Sequence, residues 1–322
     1  MMGEFELIAR YFRRPVRRAD LGVGDDCALL RTAPGMQLAV SSDMLVEGRH
    51  FLATVAPERL GHKALAVNLS DLAAVGARPM AFTLALALPS ADERFLAPFA
   101  RGLLALADAS GIELVGGDTT AGPLNICITV LGELPAGQAL LRSGARPGDD
   151  VWISGTLGDA RLALEVFRGT VALPGGDFET VRRAMEMPTP RNALGIALRG
   201  LAHSAIDVSD GLAGDLGHVL AASGVAACLD VDALPRSAVL AARPVAVQHE
   251  CLLAGGDDYE LAFTAPQARR QAVVAAGQAA GVALTRCGTI EAGRGLRLVD
   301  RAGRPVAATF RGFDHFAPAA AP

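Results

Sequence analysis

The sequence predicts a two-domain α/β protein, and three observations carry that expectation. Apolar runs of strand length alternate with stretches of helical period along the chain, the pattern of a mixed α/β fold. At 322 residues and 51% hydrophobic content the chain can bury more than one core. Residues 142–150, RSGARPGDD, are rich in glycine, proline and charge and precede a new strand, which suits a linker. The expected division is an N-terminal domain over 1–145 and a C-terminal domain over 146–322.

Taken in order, MQLAVSSD (36–43), IELVGGD (112–118), NICITVLGEL (125–134), DVWISG (150–155), SAIDVSD (204–210) and YELAFT (259–264) read as strands or strand ends. Between the first two lies a helical stretch, 57–77. It opens with Pro57, whose fixed φ suits a first helical turn, and carries Leu65, Leu69 and Leu72 as a core stripe. Ala64, Asn68 and Asp71 repeat that spacing one residue earlier, on the flank of the stripe. Asn68-Leu-Ser-Asp71 followed by Gly116-Gly-Asp118 has an echo in Asp207-Val-Ser-Asp210 followed by Gly255-Gly-Asp257. The intervening sequence shows no similarity, so the echo reads as coincidence.

Composition excludes several function classes. A net charge of −4 gives no global field to gather nucleic acid or an anionic membrane, so an anionic ligand must be held locally. Lys63 is the only lysine and is followed by Ala64, so there is no P-loop motif, and Schiff-base chemistry would rest on Lys63 alone. Cys27, Cys127, Cys228, Cys251 and Cys287 lack C-x-x-C spacing and read as reduced thiols, neither a disulfide framework nor a zinc site. No apolar run approaches a membrane span, and the first residues lack a signal-peptide core. The expected compartment is the cytoplasm.

What remains is acid. Asp25, Asp26, Asp43, Asp71, Asp118, Asp207, Asp210, Asp257 and Asp258 lie within two residues of glycine or serine, mostly at the ends of apolar segments. Any one of them reads as a turn or helix cap, and Asp149, Asp159 and Asp215 are read as caps or surface acids. Buried carboxylates need arginines, amides or metal ions as partners. Magnesium suits aspartates scattered over several strands, because it takes hard oxygen ligands and is usually held by one or two carboxylates plus substrate phosphates.

The order and spacing of GVGDDCALL, SSDMLVEGRHF, HKALAVNLSDLAAVGARP, LVGGDTTAGPL, LLRSGARPGDDVWISGTLGDA, SAIDVSDGLAGDLGHV and LAGGDDYELAFT resemble the thiamine-monophosphate kinase family. The resemblance runs from GEFELIARYF to RGFDHF, essentially the whole chain. It implies a two-domain aminoimidazole ribonucleotide synthetase-like fold: a mixed-sheet N-terminal domain that dimerises through its sheet, an α/β C-terminal domain, and ATP in the cleft between. The implied activity is phosphorylation of thiamine monophosphate by ATP, by direct in-line transfer assisted by several magnesium ions. Asp26, Ser41, Ser42, Asp43, Asp71, Asp118, Asp207 and Asp210 match magnesium-ligand positions, of which Asp43, Asp71, Asp118 and Asp210 are expected to be catalytic. Gly117, Asp118, Arg142 and Ser209 match nucleotide contacts, and His50, Asp257 and Phe313 match contacts to thiamine phosphate. Ser42 stands where threonine is common, and Asp257 where glutamate is. From the residues alone, Phe313 reads equally as a core side chain, His50 rather as a buried, satisfied histidine, and Arg142 as a surface arginine; the resemblance reverses the preference for His50. Other ATP-using enzymes of the same fold, and a non-catalytic Mg-ATP-binding dimer, are the alternative readings. Two of those enzymes would carry a reactive cysteine or selenocysteine in a terminal segment, and neither end of this chain contains one.

Overall fold

A computed structural model describes residues 4–23, 27–306 and 310. The chain folds as two compact units. The first comprises the residues up to Ala139 together with Glu186–Arg199, and the second comprises Leu140–Met185 together with the residues from Gly200 onward.

The first unit contains, in chain order, α1 (Glu4–Tyr11), β1 (Ala19–Leu21), β2 (Leu29–Leu30), β3 (Met36–Val46), α2 (Pro57–Ala74), β4 (Arg78–Leu88), α3 (Glu93–Ser110), β5 (Glu113–Ala121) and β6 (Asn125–Pro135). β1 and β2 pair as a short ribbon, and the others form a four-stranded sheet in the order β3-β6-β4-β5. β6 is antiparallel to β3 and β4, whereas β5 runs parallel to β4, the arrangement a helical crossover such as α3 permits. β4 lies between two neighbours and is buried at most positions, so its RPMAFTLALAL sequence loses the alternation that marks a one-sided strand. β3 is a sheet edge. It keeps Leu45 buried while Leu38, Val40 and Met44 are 46%, 58% and 54% exposed.

α2 starts at the predicted Pro57 and is capped at Val75, whose N–H bonds Asp71 O. Its backbone lies unusually close to its neighbours. A Cβ on Gly61 would lie 2.1 Å from Phe99 O, and one on Gly102 of α3 would lie 1.9 Å from Glu58 O. Glycine is what lets these two helices cross so closely.

The second unit begins with β7 (Asp149–Ser154), α4 (Asp159–Phe167) and α5 (Gly175–Glu186). After α6 (Asn192–Leu198), which belongs to the first unit, come β8 (Ser204–Asp207), α7 (Leu212–Ser223), β9 (Ala226–Asp230), α8 (Ala238–Ala241) and α9 (Val245–Ala254). The unit closes with β10 (Leu261–Pro266), α10 (Arg270–Ala279), β11 (Leu284–Glu291) and β12 (Gly295–Val299). Its six-stranded sheet has the order β12-β9-β11-β7-β10-β8. All pairings are antiparallel except β9 with β12. Every residue of β7 is buried. Asp150 tolerates that place because the Arg270 fork donates to it at 2.6 and 2.7 Å, a charge-assisted bidentate pairing. Asp149, read from sequence as a cap or surface acid, is also buried. It accepts from Arg146 N–H and pairs with His203 Nδ1, each at 2.9 Å.

Candidate functional site

In the first unit the edge strand β3 is tied to α2 by two polar contacts. The Asp43 N–H donates to Asn68 Oδ1 at 3.0 Å, and Asn68 Nδ2 donates to Ala64 O at 2.9 Å. Asn68 is 1% exposed and meets a strand-edge amide that would otherwise lack a ladder partner. Two residues earlier, Ser41 Oγ donates to Asp71 Oδ2 at 2.5 Å. Ser41, Asp43 and Asp71 are thus gathered where the strand edge meets the helix flank, in keeping with the stripe-flanking position of Asp71.

The remaining first-unit candidates fall elsewhere. Ser42, one residue out of phase with Ser41 and Asp43, bonds across the sheet to Ile128 O at 3.2 Å and Thr129 Oγ1 at 3.0 Å, so its hydroxyl is not with Asp71. Gly117 and the exposed Asp118 lie on β5. One register row runs Asp43, Ile128, Leu84, Gly117 across all four strands. The row sets Gly117 and Asp118 level with Asp43 but at the far edge, on the order of 14 Å away at the usual strand spacing. Gly117 cannot carry a side chain, since a Cβ there would lie 1.9 Å from Leu84 O.

His50 sits in the turn after β3. Its Nδ1 accepts the Val46 N–H at 3.0 Å, which leaves the neutral ring's proton on Nε2. Its carbonyl accepts from Lys63 Nζ at 3.1 Å. Lys63 is 2% exposed; the lone lysine secures this turn from within α2.

In the second unit the acids are organised by two loops. β8 leads into the loop carrying Ser209 and Asp210, and the N–H groups of residues 209, 210 and 211 all donate to Asp215 Oδ2, at 3.1, 3.0 and 3.1 Å. Asp215 is buried, not at the surface: it caps the start of α7 from inside. Burial pushes its carboxyl up to about 7 against the pull of those amide bonds. The second loop, 255–260, lies against the first. Asp257 N–H donates to Ser209 O at 2.9 Å and Tyr259 N–H to Val208 O at 2.8 Å, while a Cβ on Gly256 would lie 2.4 Å from Ser209 O. Asp207, Ser209, Asp210 and Asp257 are therefore brought together within this unit. Asp207 is buried.

Asp258 turns inward. Its Oδ1 accepts the Gly158 N–H at 2.8 Å and its Oδ2 is buried without a hydrogen-bond partner. Burial holds this carboxyl well above the usual range, so the core favours its protonated form. Asp159, also buried, accepts from Ser237 Oγ at 2.6 Å and is likewise raised by burial. Arg142 is exposed and its carbonyl is anchored by Ser223 Oγ at 3.2 Å. Asp25, Asp26 and Phe313 lie outside the described residues.

As a donor set, these residues offer carboxylate and hydroxyl oxygens, the chemistry magnesium prefers. Among the described residues no three His, Cys, Asp or Glu side chains converge as a ready-made metal centre. Sequence reasoning misses Asn68 as the brace of Asp43 and Asp215 as the clamp of the 209–211 loop. The flank spacing of Asn68 is the available signal for the first.

Comparisons with known proteins agree over nearly the whole chain. A family model described as AIR synthase related protein, N-terminal domain, matches residues 24–134, and its C-terminal counterpart matches residues 146–301. The thiamine-monophosphate kinase of Salmonella typhimurium is 48% identical over 323 residues, 98% of each chain, and that of Escherichia coli strain K12 is 45% identical over 322 residues with the same coverage. The crystal structure of thiamine-monophosphate kinase from Stenotrophomonas maltophilia K279a superposes with a TM-score of 0.84 at 46% identity, covering 90% of this chain and 92% of that one. A structure described as AaThiL complexed with AMPPCP and TMP has a TM-score of 0.76 at 30% identity over 89% of both chains.

Proposed function

The chain belongs to the thiamine-monophosphate kinases, with both AIR synthase related domains in order, and from that premise we propose how its residues divide the work of its reaction. The reaction is ATP-dependent phosphorylation of thiamine monophosphate, giving thiamine diphosphate and ADP. The observation that carries the site is the pair of contacts joining β3 to α2, Ser41 to Asp71 and Asp43 to Asn68.

Asp43 and Asp71, with Ser41 beside them, would hold magnesium in the first unit, as would Asp26 and Asp118, and Asp207 and Asp210 would do so in the second, the ligands being shared among several ions; the Ser42 hydroxyl, turned toward Ile128 and Thr129, would not share an ion with Asp71. Bound magnesium would screen the repulsion between two phosphate-bearing substrates and align the attacking and leaving oxygens for in-line transfer. The chain's own residues bind and orient. Asn68 holds the backbone at Asp43, and Asp215 holds the loop that presents Ser209 and Asp210. Gly117, Asp118, Arg142 and Ser209 contact the nucleotide, with the Arg142 guanidinium as a planar fork for phosphate oxygens. Asp257 and Phe313 face the cationic thiazolium ring.

No side chain serves as general base. A phosphate monoester, with a second pKa near ~6, is mostly a dianion at neutral pH, so the acceptor oxygen needs no deprotonation. His50, with Nδ1 engaged by the Val46 amide, serves as an Nε2–H donor to substrate and not as a proton acceptor.

The active unit is a homodimer formed through the N-terminal sheet, a reading supported by exposed Leu38, Val40 and Met44 on one face of β3. It works in the cytoplasm, consistent with five cysteines that form no disulfide in the structure and with its use of ATP.

The test is Asp71→Asn, which keeps the side-chain shape and removes a ligand charge. The variant should unfold like wild type yet lose most turnover and need more magnesium. Normal turnover at ordinary magnesium in the folded variant would remove Asp71 from the site.

A further inference from the structure

The loop 255–260 holds an uncommon backbone. Asp257 and Tyr259 both have positive φ, 66° and 52°. Aspartate tolerates the left-handed region, but an aromatic residue there is a clear outlier. Such conformations persist only where the surroundings over-determine them, and they gather where a side chain must be aimed. Here the surroundings do over-determine the loop. Backbone bonds fix Asp257 and Tyr259 to the neighbouring loop at Ser209 and Val208. Asp258 Oδ1 takes the Gly158 amide, and Ser154 Oγ donates to buried Glu260 Oε2 at 2.5 Å. With its backbone held in this way, the buried Tyr259 points its hydroxyl at Asp257 and donates to Oδ1 at 3.0 Å.

We propose that Tyr259 is a positioning residue for substrate selection: its phenol fixes the rotation of the Asp257 carboxylate so that the carboxylate faces the cationic ring of thiamine phosphate. The inference rests on the assignment of Asp257 to that substrate. Asp257 itself sits at positive φ, and each restraint on its carboxylate before binding lowers the ordering that binding would have to supply. A phenol donor in place beforehand removes that cost. The interaction is with a part of the substrate remote from the transferred phosphoryl group, so it acts equally in ground and transition states. It therefore sets KM for thiamine monophosphate and leaves kcat alone.

Tyr259→Phe keeps the ring and removes only the hydroxyl; its kinetics are compared with those of Asp257→Asn and of the double variant. Tyr259→Phe should raise KM for thiamine monophosphate about tenfold, the usual scale for losing a hydrogen bond to a charged group, with kcat and KM for ATP within about twofold of wild type. The double variant should be no worse than Asp257→Asn alone, because the hydroxyl acts through that carboxylate. An unchanged KM in Tyr259→Phe, with a raised one in Asp257→Asn, overturns the positioning role and leaves Asp257 at the substrate. Parallel losses in kcat and in both KM values would make Tyr259 a structural residue only. No effect of Asp257→Asn on KM for thiamine monophosphate would remove the assignment beneath the inference, and the inference with it.

Discussion

Asn68 illustrates how one buried amide braces the strand that carries Asp43. Its amide spans the Asp43 N–H and the Ala64 carbonyl, so Asn68→Ala should remove the side-chain acceptor of the Asp43 amide and open space in the interior of α2. The expected cost is about 1–3 kcal/mol of stability, with a raised magnesium requirement, measured by thermal unfolding and by activity against magnesium concentration. His50 makes a different prediction. On the proposed base-free transfer, the acidic limb of kcat/KM should follow ionisation of thiamine monophosphate, and His50→Gln should weaken substrate binding yet keep that limb; its disappearance in the folded variant would make His50 the base. Burial pushes the Cys251 and Cys287 thiols up to about 12, and thiols so raised and buried are unreactive. Exposed Cys27 should therefore be alkylated at pH 8 well before either, as peptide mapping would read out. Asp43, Asp71 and Asp118 stand out in the sequence because each lies beside small residues, but the strand ends expected at Asp43 and Asp118 are not there: both lie inside longer strands, β3 and β5, while Asp71 is on α2. Asp215 and Asp258 were not legible: an Asp near glycine looks the same whether it caps a loop from the core or faces water, and only the packing around it tells them apart.

At the scale of elements, α2 and its neighbours place the acids, and their spacing is set by glycine. Gly102→Ala would drive a methyl into the Glu58 carbonyl. Since the obstacle is backbone, the helices must separate, at the usual overpacking cost of about 1–3 kcal/mol. Asp71 is carried on α2 while Asp43 is carried on β3, so turnover should fall further than stability explains. Equal loss of both, or none, in melting and rate measurements would count against that coupling. α2 was readable from Pro57 and its leucine stripe, and it ends three residues before the predicted 77 because the chain turns at Gly76, where φ is +71°. β3, β5 and β6 were readable from bounded apolar runs. β4 was not, because a strand buried between neighbours has no period to distinguish it from a core helix. The echo of N-L-S-D in D-V-S-D has no structural meaning: the first lies on α2, and the second spans the end of β8 and the loop beyond it.

For the molecule as a whole, buried acids set the pH response. Asp215, Asp159 and Asp258 all have folded-state pKa values above their unfolded ones, through burial, so the folded state binds more protons and their contribution to stability falls as pH rises from about 4 upward. Asp258→Asn removes one such group while keeping an oxygen for the Gly158 amide. Its melting temperature should gain on wild type as pH rises from 5 to 8; a constant difference would mean that Asp258 is ionised. The proposed assembly is tested by sedimentation of wild type beside Val40→Asp, which places a charge on the exposed face of β3: wild type should sediment as a dimer and the variant as a monomer. The most direct test of the central claim is transfer of radioactive γ-phosphate from ATP in the presence of magnesium. Label should pass to thiamine diphosphate, one per ADP formed, only when thiamine monophosphate is present, and none should remain on the protein. ADP release that ignores thiamine monophosphate, or a labelled protein that later hands its phosphate on, would contradict direct transfer between the two substrates.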